Sequence, residues 1–145
     1  MAATATALLR IASELDQQLL SAAMRGDIDE VLRLASKGAD INAKGEEGHG
    51  VLYWRILCGS DVQLERLITA GADPNIRDDD GWSPLHEATF GNRRGMTKLL
   101  LKHGANRDAK DNDGRTPLDY ARAYKMHALV RMLSGRSRAG GREVD

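Results

Sequence analysis

The four histidines, His49, His86, His103 and His127, are the side chains best suited here to proton transfer or to holding a transition metal. Their spacing supports neither role. No HxxxH pair or HExxH stretch occurs, so no helix can present two imidazoles to one ion. Asp78-Asp79-Asp80 and Asp111-Asn112-Asp113 offer the oxygen donors that calcium takes. An EF-hand loop, however, needs ligands at alternating positions, with Gly sixth and Glu twelfth. Here Gly81 and Gly114 follow at once, and the acids read as turn formers. Cys58 is the one thiol, too few for an internal disulfide or a thiolate metal site, and it fits a reducing compartment. Beside Tyr53 and Trp54 it reads as a small packed hydrophobe. Phosphate-loop, GxSxG and Cys-His signatures are lacking. The expectation is a non-enzyme without metal or cofactor.

His86 lies in "DGWSPLHEATFGN", and parts of that stretch recur. "GAD" at Gly38–Asp40 returns at Gly71–Asp73 and, as "GAN", at Gly104–Asn106, 33 residues apart each time. Gly48, Gly81 and Gly114 keep the same interval, as do Leu19, Leu52, Leu85 and Leu118. Several columns with one period mark a stack of small repeated units.

Each unit carries its own punctuation. Asp80-Gly81 and Asp113-Gly114 are turn dipeptides. Ser83-Pro84 and Thr116-Pro117 pair a capping hydroxyl with Pro at the first helical position. A short inner helix follows, with Leu85, Ala88 and Thr89 on its packed side. Gly26, Gly59 and Asn92 share the next column, where a left-handed residue would end that helix. Outer helices follow in "DIDEVLRLAS", "VQLERLITA" and "GMTKLLLKH", ending in the Gly-Ala step.

These motifs, best seen in "DGWSPLHEA" and "LLLKHGANRDAKDNDGRTPLDYA", resemble the ankyrin repeat family over about residues 16–133. The resemblance implies an all-α ankyrin-repeat solenoid of four stacked helix–turn–helix repeats, at 16–44, 45–77, 78–110 and 111–136. Leu8, Ile11, Leu15 and Leu19 share one helical face, so residues 1–15 are expected to form an N-terminal capping helix. "SGRSRAGGREVD" is expected to leave a flexible tail at 137–145. The resemblance also implies that His86 braces neighbouring turns by hydrogen bonds, and that the asparagine column of Asn42 and Asn75 is a site of hydroxylation in some members.

The second copy departs from the others. Gly50-Val51 stands where Ser83-Pro84 stands, so the helix start loses both cap and proline. Arg55 occupies the column of Ala22, Ala88 and Ala121, where a small side chain lets helices approach. It must snorkel outward, pair with an acid or push the helix aside. This copy is expected to be the soft point of the array. In the last copy, Lys125 in the Gly/Asn column reads as polar substitution on an end face.

Lys plus Arg and Asp plus Glu each number 21, for a formal net charge of zero. That balance argues against coating nucleic acid, where summed phosphate contacts dominate affinity. No apolar run approaches the roughly 18–20 residues that span a bilayer, and the start of the chain lacks the basic region of a signal peptide. A monomer in the cytoplasm or nucleus is expected.

The resemblance implies a partner protein bound at the concave face and the turn tips. Aromatics are only 4% of the chain, yet Trp54, Trp82, Phe90, Tyr120 and Tyr124 fall in columns expected to be exposed there. Such rings are common interface anchors. Arg77, Asp80, Glu87 and Arg115 complete the expected binding set, as charges that guide register and association rate. An alternative is an inhibitor or immunity-type protein that blocks an enzyme active site with a repeat turn.

Overall fold

The computed structural model describes residues 2–135, with side chains from residue 13 onward. The tail expected at 137–145 lies outside the described residues, as do the side chains of Leu8 and Ile11. The described residues hold eight α-helices and no strand: α1 (Ala2–Arg25), α2 (Ile28–Ser36), α3 (Val51–Cys58), α4 (Asp61–Thr69), α5 (Pro84–Phe90), α6 (Arg94–Lys102), α7 (Pro117–Ala123) and α8 (His127–Leu133). Two compact units divide at residue 73, Met1–Asp73 and Pro74–Asp145.

Consecutive helices pair as α1 with α2, α3 with α4, α5 with α6 and α7 with α8. In the first unit α3 packs beside α1 and α4 beside α2. In the second, α7 packs beside α5 and α8 beside α6. Helix-spaced apolar residues fill the layers: Leu19, Ala22, Val31, Leu52, Ile56, Leu64 and Leu67 in one unit, and Leu85, Ala88, Met96, Leu100, Ala121 and Leu129 in the other, all buried. The residues expected as a cap and the first inner helix form one unbroken 24-residue helix, α1.

The caps explain the helix starts. Ser83 with His86 and Thr116 with Asp119 form reciprocal capping boxes, each with proline in the first turn. Ser60 and Gln63 do the same for α4. Helix α3 starts from Gly50 with no side-chain cap. The Gly-Ala steps end α2, α4 and α6 as Ala39, Ala72 and Ala105 return their N–H groups to Leu34, Leu67 and Leu100, each at 3.0 Å.

Side chains also tie helices within a pair and neighbouring pairs within a unit. Asp16 accepts the Asp40 N–H at 2.7 Å. Asn42 accepts the Asp73 N–H at 2.7 Å and donates to the Gly71 carbonyl at 3.2 Å. Asn75 repeats that geometry with Asn106 and Gly104. Both asparagine amides therefore serve the stack itself.

The inner-to-outer turn takes two forms. Gly26, Asn92 and Lys125 are left-handed, with φ of 82°, 54° and 55°. The following N–H bonds back to Ala22, Ala88 and Ala121 respectively, at 2.8–2.9 Å. Lys125 is thus a backbone-determining position rather than only a polar end residue. Gly59 departs from the expectation, with φ −101° and ψ −165°. That backbone is open to any residue, and glycine is needed there for space. A Cβ would lie 2.8 Å from both the Arg55 carbonyl and Gln63 Oε1.

Arg55 lies against this rerouted turn, and it neither snorkels outward nor pairs with an acid. It is only 4% exposed. Nη2 donates to the Ala23 carbonyl at 2.9 Å and Nη1 to Gln63 Oε1 at 3.2 Å. Neutral oxygens, not an acid, receive the charge, and Nε has no partner among the described residues. The guanidinium occupies the space beside Gly26 and Gly59 and ties the end of α1 to the start of α4.

Arg55→Ala should therefore destabilise the first unit by about 1–3 kcal/mol, although alanine is what the other copies carry. Urea denaturation measures it, and hydrogen exchange should show α3 losing protection relative to α5. A neutral or stabilising result would mean that the turn relaxes to the form of the other copies.

Candidate protein-interaction surface

Helices α5 and α7 lie side by side in the second unit and present their side chains and turns together. His86 and Asp111 organise this face. The Ser83 N–H donates to His86 Nδ1 at 3.1 Å, and Nε2–H donates to the Arg115 carbonyl at 2.9 Å. Both ring nitrogens are consumed in joining one turn to the next, as the resemblance implies. Burial pushes the imidazole pKa down, beyond what the Arg115 carbonyl and Asp111 restore, so the neutral ring is the folded form.

Asp111, read from sequence as a turn former, is a hub. Its Oδ1 accepts the N–H groups of Asp113 and Arg115 at 2.9 Å. Its Oδ2 accepts Trp82 Nε1–H at 3.1 Å and the Tyr120 hydroxyl. Burial opposes ionisation, but these donors outweigh it and hold the carboxyl below its usual range. Only Asp in its turn context hinted at this, because nothing in the spacing says which rings reach it.

The turn tips of the unit are laced together. Arg77 Nε donates to the Gly81 carbonyl at 2.8 Å and Nη2 to the Lys110 carbonyl. The Asn112 N–H reaches the Asp80 carbonyl at 3.0 Å, and Asn112 Nδ2 reaches the Asp79 carbonyl at 2.9 Å. Gly81 has φ 79°, and a Cβ there would meet Asn112 Oδ1 at 2.5 Å, so the tips can approach only at glycine.

Of the nine residues expected to bind a partner, Trp54 belongs to the first unit and the other eight to the second. Of the aromatic ones, Phe90 and Tyr124 are open, 51% and 57% exposed, with ring centroids 5.7 Å apart. Trp82 lies 5.5 Å from Phe90 and 5.3 Å from Tyr120, so the four rings run as one row. Trp82 and Tyr120 are half-buried and already hold Asp111. Arg115 is exposed, its guanidinium 5.9 Å from the Tyr120 centroid. Arg77 and Asp80 are exposed, but Arg77 is engaged in the tip lacing. Trp54 is half-buried and edge-on to Tyr53 at 4.9 Å.

Glu87 sits one turn before Phe90 on α5. Burial, then the charges of Asp78 and Asp80, push its carboxyl up to about 7. An acid in that state donates or accepts a hydrogen bond near neutral pH and is ready to ionise against an incoming cation.

A family model described as ankyrin repeats (3 copies) matches residues 56–141, more than half of the sequence. The chain belongs to the ankyrin repeat family, whose domains typically act as non-catalytic modules that bind other proteins. A search of the curated proteins finds no match. Among the described residues no helix is long and apolar enough to cross a membrane.

Glu87 and His86 should give opposite pH signatures. The raised Glu87 pKa contributes stability that is complete below about 4.5 and lost as pH rises through about 7. The lowered His86 pKa contributes stability present above 6.5 and lost as pH falls through its folded value. Glu87→Gln should therefore gain on wild type as pH rises from 5 to 8, by at most about 1.4 kcal/mol per pH unit. Urea titrations of both proteins at the two pH values measure this; a pH-independent difference would show that Glu87 does not titrate in this window.

Proposed function

We propose that this chain is a non-catalytic interaction module of four ankyrin copies, at 16–44, 45–77, 78–110 and 111–136. It recruits or masks a partner protein through the exposed side of its inner helices and its turn tips. The observation that carries the reading is the Phe90–Tyr124 pair. Large exposed rings in contact with each other, backed by a hydrogen-bonded second row, form the rigid apolar centre that interface anchors need. Arg115 and Asp80 flank them as rim charges, which act mainly on association rate. Neither exposed ring has a hydrogen-bonding task among the described residues, unlike Trp82, so they test the surface without disturbing the turn. The module is proposed to work as a monomer in the cytoplasm or nucleus, without metal, cofactor or nucleic acid.

Partner capture from the source cells, followed by affinity measurement on the recovered protein, tests this. Phe90→Ala/Tyr124→Ala should weaken binding by about thirtyfold or more, an anchor loss of about 2 kcal/mol, with unchanged thermal unfolding. Lys98→Ala on the exposed side of α6 should leave affinity intact. The reverse pattern would place the partner on the outer helices. A recovered enzyme that loses activity on binding would assign the blocking role instead.

A further inference from the structure

The turn that leads into the second copy is built unlike its counterparts. Asp78 and Asp111 each fold their turn around a carboxylate that accepts two backbone N–H groups, from Asp80 and Trp82 and from Asp113 and Arg115. The equivalent position in the first unit is Gly45. Its N–H still closes the turn on the His49 carbonyl at 2.9 Å. The chain then passes through a 3-10 turn, Glu46–Gly48, with Glu47 left-handed at φ 59°. A non-glycine residue held there is strained. A Cβ on Gly45 would stand 3.2 Å from Leu20 Cδ1, so the leucine packs against the bare glycine and takes the room a side chain would need.

Beside this turn lies a groove of about 350 Å³. Leu20 and Met24 of α1 form one wall, and Tyr53 and Trp54 of α3 form the other. Glu46 and Glu47 stand at its edge. The aromatic wall is preset: His49 stacks on Tyr53 at 3.5 Å and meets Trp54 edge-on at 6.1 Å. Glu46 and Glu47 are exposed and make no ion pair among the described residues. Met24 is 57% exposed, so the opposite wall is open as well.

Apolar walls, aromatic faces and a rim of two unpaired carboxylates are complementary to a cation on a hydrocarbon stem. Lysine and arginine side chains have this form: the stem packs on apolar surface, the cation meets the ring quadrupole, and carboxylates accept its N–H groups. We propose that this groove receives a lysine or arginine side chain from an extended basic segment of a partner protein. The site uses no residue of the Phe90–Tyr124 surface and stands whether or not that surface binds.

The test uses the full chain with ¹⁵N-labelled indoles, observed by NMR. The Trp54 Nε1 resonance is assigned by its loss in Trp54→Phe. The probe is the capped peptide Gly-Leu-Arg-Leu-Gly, compared with the same peptide carrying Gln in place of Arg. The Arg peptide should shift the Trp54 resonance saturably and leave that of Trp82 in place. The Gln peptide should bind about fivefold or more weakly. Glu46→Gln/Glu47→Gln should bind the Arg peptide about threefold or more weakly, with unchanged thermal unfolding, whereas Phe90→Ala/Tyr124→Ala should bind it as wild type does. Equal affinity for the two peptides would overturn the proposal in favour of an apolar occupant. A Trp54 shift on dilution alone would point to a second copy of the chain, and a shift on deleting residues 136–145 to the chain's own end. Absence of any shift would also overturn it.

Discussion

Every connection between helices in this protein carries peptide N–H and C=O groups that folding brings against a neighbour, and each such group needs a partner. The rest of the structure depends on how that demand is met. The helices satisfy their own interiors. Their connections are satisfied by side chains projected from an adjoining copy: Asn42, Asn75 and His86 reach forward to the next copy, and Asn112 reaches back to the one before. A single helical pair has no such donor beside it. Stacking therefore completes the hydrogen bonding of each copy as well as burying its apolar face.

The same demand selects the residues that sequence singles out as chemical. A histidine with both nitrogens bonded to turns has no free atom for a substrate. A carboxylate that accepts two N–H groups, an indole and a phenol has little capacity left for a metal. What remains open is the surface of the α5–α7 face. It has two exposed rings, a poised acid in Glu87 and charges at the rim, set on turns that their own hydrogen bonds hold in place. Rigid presentation of that kind lowers the ordering needed on association.

Arg55 shows the constraint solved differently. Its column normally admits alanine and a left-handed turn, yet here a guanidinium fills the space and the turn becomes extended. Gly59 is then required because the Arg55 carbonyl and Gln63 crowd its Cα, whereas Gly26 supplies the left-handed turn that Asn92 and Lys125 also adopt. One column thus holds glycine for two unrelated reasons. The departures of the second copy are mutually adjusted at this turn.

The periodicity by itself determined the helical pairs, their order and most of the buried residues, because apolar spacing and capping dipeptides are local signals. Ser83-Pro84 and Thr116-Pro117 place their helix starts without reference to the rest of the chain. The tertiary structure alone decided which polar side chains are spent inside the molecule. Trp82 and Tyr120 stand, like Phe90 and Tyr124, in columns that look exposed, but Asp111 lies within their reach and takes their donors. Arg55 looked incompatible with burial until the carbonyl of Ala23 and the amide of Gln63 came to meet it. Column position records the direction in which a side chain leaves its helix. It does not record which groups of a neighbouring turn lie within about 3 Å of its end, and that distance separates a bracing residue from a binding one.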